Sequence, residues 1–312
     1  MNPLRTAVIG AGYLGRFHAE KYASLPQSNL IAVVDPRPEV RDALAMQLGV
    51  RAVAHHEEIL SEVDAVSVVT TTPHHYAIAR DCLQAGVHVL VEKPITETVA
   101  QAEALITLAR DHARVLQVGH LERFNPAILA AERYLRGARF IECQRLAPFK
   151  ERGTDVNVVL DLMIHDIDIV QSVIGEPIES IDAVGTPVFS GAVDIANARI
   201  RFVGGCVANV TASRVSLKSE RKLRAFRDDS YVSIDLQQRV LTRIDKREGK
   251  PSSAGLPVNI EEQSFEQGDA LRAEIEHFLE CIVEGRVPWV TGEDGRRALE
   301  TATRITHLLT GA

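Results

Sequence analysis

Three ionisable residues line one stripe of a largely apolar stretch. Asp161, His165 and Asp168 lie within Val159–Ile174 at i, i+4 and i+7, a spacing that lines one stripe of a helix. Burying such groups without a task is costly. A carboxylate beside an imidazole fixes its tautomer and stabilises its protonated form, which makes His165 a candidate general base with Asp161 as its companion. A surface stripe, a structural His–Asp pair or a metal site would use the same residue types, though no fourth ligand is evident. Lys93 is the second candidate. It closes the run Val-His-Val-Leu-Val-Glu-Lys-Pro-Ile at 87–95, whose apolar half reads as a strand buried on both faces. Pro94 cannot donate a ladder hydrogen bond, so the strand stops with Lys93 at its carboxyl end. Ligands bind at that edge of an open α/β sheet, and a lysine there can donate to a substrate oxygen. Charged residues are also the ordinary way for a buried strand to return to water.

The elements that must hold these residues begin with Thr6–Ile9, a short apolar run followed by Gly10-Ala11-Gly12-Tyr13-Leu14-Gly15 and then a helical pattern. Strand, GxGxxG and helix in that order form a dinucleotide fingerprint. Gly10 permits the turn, Gly12 lets backbone approach a pyrophosphate, and Gly15 lets helix and strand pack closely. Tyr13 and Leu14 open the helix, whose first N–H groups and dipole suit phosphate. The next strand ends in Asp35, about 20 residues past Gly15, where a carboxylate meets the ribose hydroxyls. Asp35 favours NAD over NADP; Arg37, two residues on, softens that preference. Further strands at 51–54, 63–70, 87–91 and 115–118 alternate with helical patterns, which predicts a six-stranded doubly wound parallel sheet over residues 1–120. Thr70, Thr71 and His75 follow its fourth strand at the cofactor edge, where the threonines serve either dinucleotide contact or helix capping. The His55-His56 pair reads as surface loop, and no metal is expected.

Beyond residue 120 the pattern changes to runs of strands without intervening helices, then two closing helices, so residues 121–312 predict an α/β domain with a largely antiparallel sheet. Asp245–Leu256 reads as a solvated loop. The length of 312 residues suits two domains. A net charge of −7 argues against a nucleic-acid binder, and four scattered cysteines suit a reducing compartment. No apolar run is long enough to span a membrane, and the N-terminus lacks the layout of a signal peptide, so a cytoplasmic protein is expected.

Gly10–Gly15 with His18, the Glu92-Lys93-Pro94 strand end and Asp161…His165 together resemble the glucose-fructose oxidoreductase/inositol dehydrogenase (Gfo/Idh/MocA) family, over nearly the whole chain. The resemblance implies a Rossmann domain, a C-terminal α/β domain whose open sheet serves homo-oligomerisation, and hydride exchange between a nicotinamide and a sugar or cyclitol carbinol. It also implies that Lys93 bonds the reacting oxygen, His165 takes the hydroxyl proton and Asp161 assists, with Glu92, Lys93 and His75 near the cofactor. Thr70-Thr71-Thr72-Pro73 departs from the family's usual loop. Residues 119–126 and 159–166 are most similar to the nucleotide-sugar 3-dehydrogenases, which implies a UDP-sugar such as UDP-N-acetylglucosamine and a link to a PLP-dependent sugar aminotransferase. Arg123, Asn125, Arg152 and Asn157 are then the expected donors to the substrate's diphosphate. An inositol or free-sugar dehydrogenase, an NAD-binding sensor without turnover and a hydrolase cycling bound NAD are the competing readings.

Overall fold

The computed structural model describes residues 2–149, 156–247, 257–266 and 268–311. The chain forms two compact units, residues 1–121 with 269–299, and residues 122–268 with 300–312. The first unit carries a parallel sheet of β1 (Leu4–Ile9), β2 (Ser28–Val34), β3 (Arg51–Val53), β4 (Ala65–Val68), β5 (His88–Glu92) and β6 (Leu116–Gly119). Their order is β3-β2-β1-β4-β5-β6, so the winding reverses between β1 and β4, where such sheets bind ligands. The strands are short apolar runs because both faces are covered; all four residues of β4 are buried. The crossovers are α1 (Tyr13–Ser24), α2 (Pro38–Leu48), α3 (Thr72–Gln84) and α4 (Val99–Asp111). A reciprocal Thr98–Gln101 capping box starts α4.

The second unit opens with a 3-10 turn at Leu121–Phe124 and α5 (Pro126–Leu135), followed by β7 (Phe140–Leu146). A π-helical turn, Val159–Met163, runs into α6 (Ile164–Ile174). Then come β8 (Ile178–Thr186), β9 (Ile195–Phe202), β10 (Val207–Ser213), β11 (Glu220–Phe226), β12 (Ser230–Asp235), β13 (Val240–Lys246) and β14 (Val258–Ser264). The eight strands are ordered β14-β13-β12-β11-β7-β10-β9-β8, and every neighbouring pair is antiparallel except β7–β10. Strict alternation of buried and half-buried residues along β7 marks a sheet with one face on the core. The edge strand β14 was not expected, because Val258-Asn259-Ile260-Glu261-Glu262-Gln263-Ser264 is polar along most of its length. Most of the expected loop at 245–256 lies outside the described residues.

The first unit runs to Leu121, and the chain returns to it at Asp269. α7 (Ala270–Glu284) and the first turns of α8 (Gly292–Thr310) belong to the first unit. Leu271, Ile275, Phe278 and Leu279 of α7 join the core formed by Val8, Tyr22 and Leu90. Val118 N donates to the Val290 carbonyl at 3.2 Å, beside a bridge between Gln117 and Thr291. The four cysteines are buried free thiols. Among the described residues, no helix is long and apolar enough to cross a membrane.

Candidate active site

The fingerprint loop has the backbone its residues require. Gly10 adopts φ +102°, and a Cβ there would lie 2.5 Å from the Val69 carbonyl oxygen. A Cβ at Gly15 would lie 1.8 Å from the Gly10 carbonyl oxygen, so only glycine lets α1 start this close to β1. A Cβ at Gly12 would meet nothing nearer than Arg37 Nη2 at 3.9 Å, which leaves that side of the backbone open. Gly12 is also the N-cap of α1 and provides no side chain to the first N–H groups. These features fit a pyrophosphate at the helix terminus, between the exposed Tyr13 and Leu14.

Asp35 follows β2 as expected, and Arg37 engages it fully. Asp35 Oδ1 accepts from Arg37 N at 3.0 Å and Nε at 2.9 Å; Oδ2 accepts from Ala11 N and Arg37 Nη2, both at 2.9 Å. Four donors saturate a carboxylate. Burial pushes this carboxyl up, but the bonds from Arg37 and Ala11 outweigh it and hold the group below the usual range. A ribose hydroxyl that meets Asp35 must therefore displace Arg37.

Lys93 sits half-buried directly after β5. Glu92 and His75, expected at the cofactor, are instead engaged behind that edge. Glu92 Oε1 is 3.1 Å from His18 Nε2, and Oε2 accepts from Lys93 N at 3.2 Å. His18 Nδ1 is 3.1 Å from Ser67 Oγ, which is 2.9 Å from the Tyr22 hydroxyl. Burial pushes Glu92 up, yet the His18 hydrogen bond and the nearby positive charge hold it below the ordinary carboxyl range. His75 is 1% exposed; its Nδ1 lies 2.8 Å from the Pro94 carbonyl oxygen and its Nε2 3.0 Å from that of Thr70. Thr71 caps α3 by backbone alone, which leaves its hydroxyl at the exposed tip.

In the second unit Asp161 lies in the π-helical turn while His165 and Asp168 lie at i and i+3 of the regular α6, so the break in the 3.6-residue register falls between Asp161 and His165. Asp161 and His165 are half-buried, whereas Asp168 is 2% exposed and Oδ1 takes Arg123 Nη1 at 3.4 Å. Arg123 is thus held as the partner of Asp168. Asn157 begins the turn: its Oδ1 accepts from Val159 N at 3.0 Å and Leu160 N at 3.1 Å, and Nδ2 donates to Thr306 Oγ1 at 3.2 Å. Asn125 caps α5 through Ala127 N and donates to the Leu236 carbonyl at 3.0 Å. Both asparagines were expected to bind substrate; their polar atoms are used in capping, a role that these residue types fill by preference. Arg152 lies outside the described residues. Sequence reasoning also missed Arg145, which is 3% exposed. Its guanidinium grips Asp166 at 2.9 and 2.8 Å and Glu122 at 2.8 Å, so the residue beside His165 is locked to β7 and to the 3-10 turn. Burial alone would lower the Arg145 pKa, but Asp166 and Glu122 raise it. His56, Glu57 and Asp81 lie close together on the first unit, where His56 Nε2 is within 3.1 Å of Asp81 Oδ2.

A parallel sheet with a phosphate cradle at its winding reversal, and a lysine at a neighbouring strand end, defines a nicotinamide-dependent oxidoreductase of Rossmann type. Residues 4–120 match the oxidoreductase family with NAD-binding Rossmann fold, and residues 138–231 match the GFO/IDH/MocA C-terminal domain. The chain belongs to the Gfo/Idh/MocA family and is an oxidoreductase of the kind that acts on CH–OH groups. It is 42% identical over 309 residues to UDP-N-acetylglucosamine 3-dehydrogenase of Acidithiobacillus ferrooxidans, covering 97% of this chain and 96% of that one. A crystal form of the same Acidithiobacillus enzyme superimposes with a TM-score of 0.94, covering 99% and 98% of the two chains at 39% identity. The scyllo-inositol 2-dehydrogenase (NAD(+)) of Bacillus subtilis is 29% identical over 325 residues, 97% of this chain and 93% of that one.

Proposed function

We propose that this chain oxidises the 3-hydroxyl of UDP-N-acetylglucosamine, or of a close UDP-sugar, with NAD as hydride acceptor. The reading is carried by end-to-end likeness to an enzyme of that name at 42% identity, against 29% for an inositol dehydrogenase of similar coverage. NAD is favoured over NADP by the Asp35 carboxylate at the end of β2. A nicotinamide dinucleotide held at the Gly10–Gly15 cradle would supply the acceptor for the hydride of the carbinol carbon. Lys93 donates a hydrogen bond to the oxygen of that carbon, His165 takes the hydroxyl proton as the C–O bond becomes a carbonyl, and Asp161 orients the imidazole. Arg152 and Arg123 remain the proposed donors to the diphosphate, since Asn125 and Asn157 are engaged as caps. The ketone product is a substrate for a PLP-dependent aminotransferase, which would draw the oxidation forward. The open face of the C-terminal sheet is the proposed surface for self-association, and four free thiols suit a cytoplasmic setting.

A panel of UDP-sugars, free hexoses and inositols, each offered NAD and NADP with and without a coupled aminotransferase, tests this. NADH formation with UDP-N-acetylglucosamine alone among them is expected. Turnover of a free cyclitol with no response to any UDP-sugar would remove the substrate proposal.

A further inference from the structure

Two buried histidines converge on the backbone either side of Lys93. On the N-terminal side, the Glu92 carboxylate bridges His18 Nε2 and the Lys93 amide. His18 Nε2 lies against Glu92 Oε1 and its Nδ1 against Ser67 Oγ, which also bonds the Tyr22 hydroxyl, so both ring nitrogens are engaged. Tyr22, His18 and Ser67 are all fully buried, so the chain of bonds is shielded from water. On the C-terminal side, His75 places Nδ1 against the Pro94 carbonyl and Nε2 against the Thr70 carbonyl. Carbonyls only accept, and burial lowers the His75 pKa, so the neutral ring has one N–H, which the shorter 2.8 Å contact assigns to the Pro94 carbonyl. That bond ties the first turn of α3 to the turn after β5.

We propose that His18 and His75 are positioning residues for Lys93, His18 acting through the Glu92 carboxylate and His75 through the Pro94 carbonyl. The role rests on the reading of Lys93 as donor to the reacting oxygen. Neither histidine touches the reacting atoms. His18, through Glu92, holds the Glu92–Lys93 peptide unit, and His75 holds the Pro94–Ile95 unit one residue beyond Lys93, so the lysine stem starts from backbone anchored on both sides. Misplacement of a catalytic group by about 1 Å can cost roughly a hundredfold in rate.

The two ring nitrogens make the test specific. An asparagine amide can stand in for Nδ1 and a glutamine amide for Nε2. His75→Asn therefore keeps the Pro94 tie and His75→Gln keeps only the Thr70 tie. His18→Gln keeps the Glu92 tie and His18→Asn keeps only the Ser67 tie. The expected order of kcat is wild type, then His75→Asn, then His75→Gln at least tenfold below wild type; for the other site it is wild type, His18→Gln, His18→Asn. The NAD Kd by calorimetry should stay within threefold throughout. Hydrogen exchange at residues 92–95 reads the same brace without turnover and should accelerate in His75→Gln and His18→Asn but not in their counterparts. A reversed order at either site, or unchanged exchange in all four variants, overturns the proposal. A loss of NAD affinity that matches the loss of kcat/KM also overturns it, since the histidines would then be cofactor contacts. Should the exchange pattern appear while Lys93→Met retains full turnover, the assignment of Lys93 to the reacting oxygen fails, and the role proposed for the histidines fails with it.

Discussion

Lys93 and Arg37 bear on different halves of the reaction, chemistry and cofactor choice. Lys93→Met removes the donor to the reacting oxygen without touching the cradle at Gly10–Gly15, so single-turnover hydride transfer should fall by about 10²–10³-fold. NAD affinity measured by calorimetry should hardly change; lost affinity would place Lys93 among the cofactor contacts instead. Arg37 occupies all the free capacity of Asp35 and is the cation nearest Gly12. Arg37→Ala frees that carboxylate for ribose hydroxyls and removes a partner for a 2′-phosphate. The ratio of NAD to NADP affinity should rise by about tenfold or more, the scale of one charged hydrogen bond. Equal titration of the variant by both cofactors would show that selection lies elsewhere. The positions of Gly10, Gly15, Asp35 and Lys93 were all legible from the sequence, because each follows from a strand end and a short spacing. The saturation of Asp35 by Arg37 was not, because it depends on a rotamer.

At the scale of elements, the apolar runs of the parallel sheet were readable because strands buried on both faces have little other composition to choose from. The π-helical turn at Val159–Met163 was not readable, since one extra residue per turn leaves the spacing of apolar residues almost unchanged. It lies ahead of His165 and Asp168, which keep their i, i+3 relation in α6, where Asp168 pairs with Arg123. Asn125 and Asn157 were misread for a related reason: capping and ligand binding call for the same short amide, and only the position of the helix start decides between them. What holds α6 in place is the ionic cluster of Arg145, Asp166 and Glu122. Arg145→Met would leave buried Asp166 without its guanidinium and Glu122 with Arg221 alone. That loss should cost about 3–5 kcal/mol in urea unfolding. A variant as stable as wild type would mean the cluster contributes register but no net stability.

For the whole molecule, α7 brings both a strength and a weakness to the first unit. The weakness is Glu274, fully buried, with no hydrogen bond to either carboxyl oxygen and with Glu92 electrostatically close. Burial and Glu92 push its pKa well above the ordinary value, so the folded chain keeps the proton. Below about pH 4 the carboxyl is protonated folded or unfolded and makes no difference. As pH rises through that value the unfolded chain ionises and gains, and stability declines up to the folded pKa. Glu274→Gln is neutral throughout. Its melting temperature should match wild type near pH 4 and exceed it by several degrees at pH 8; a constant offset would show that the carboxyl is not protonated in the fold. The strength is Leu271, Ile275, Phe278 and Leu279, whose burial is worth about 6–12 kcal/mol, comparable with the whole stability of a domain. Residues 1–120 expressed alone should therefore be insoluble or molten by near-ultraviolet dichroism, and joining residues 269–299 to them by a flexible linker should restore a cooperative melt. During synthesis the same arrangement imposes a wait. The glycine-rich cradle leaves the ribosome before α7, and its core stays open until α7 follows, with residues 122–268 translated in between. At about 5–20 residues per second that interval is roughly ten to thirty seconds, in which the nascent Rossmann sheet has an uncovered apolar flank and depends on chaperones to keep it from other chains.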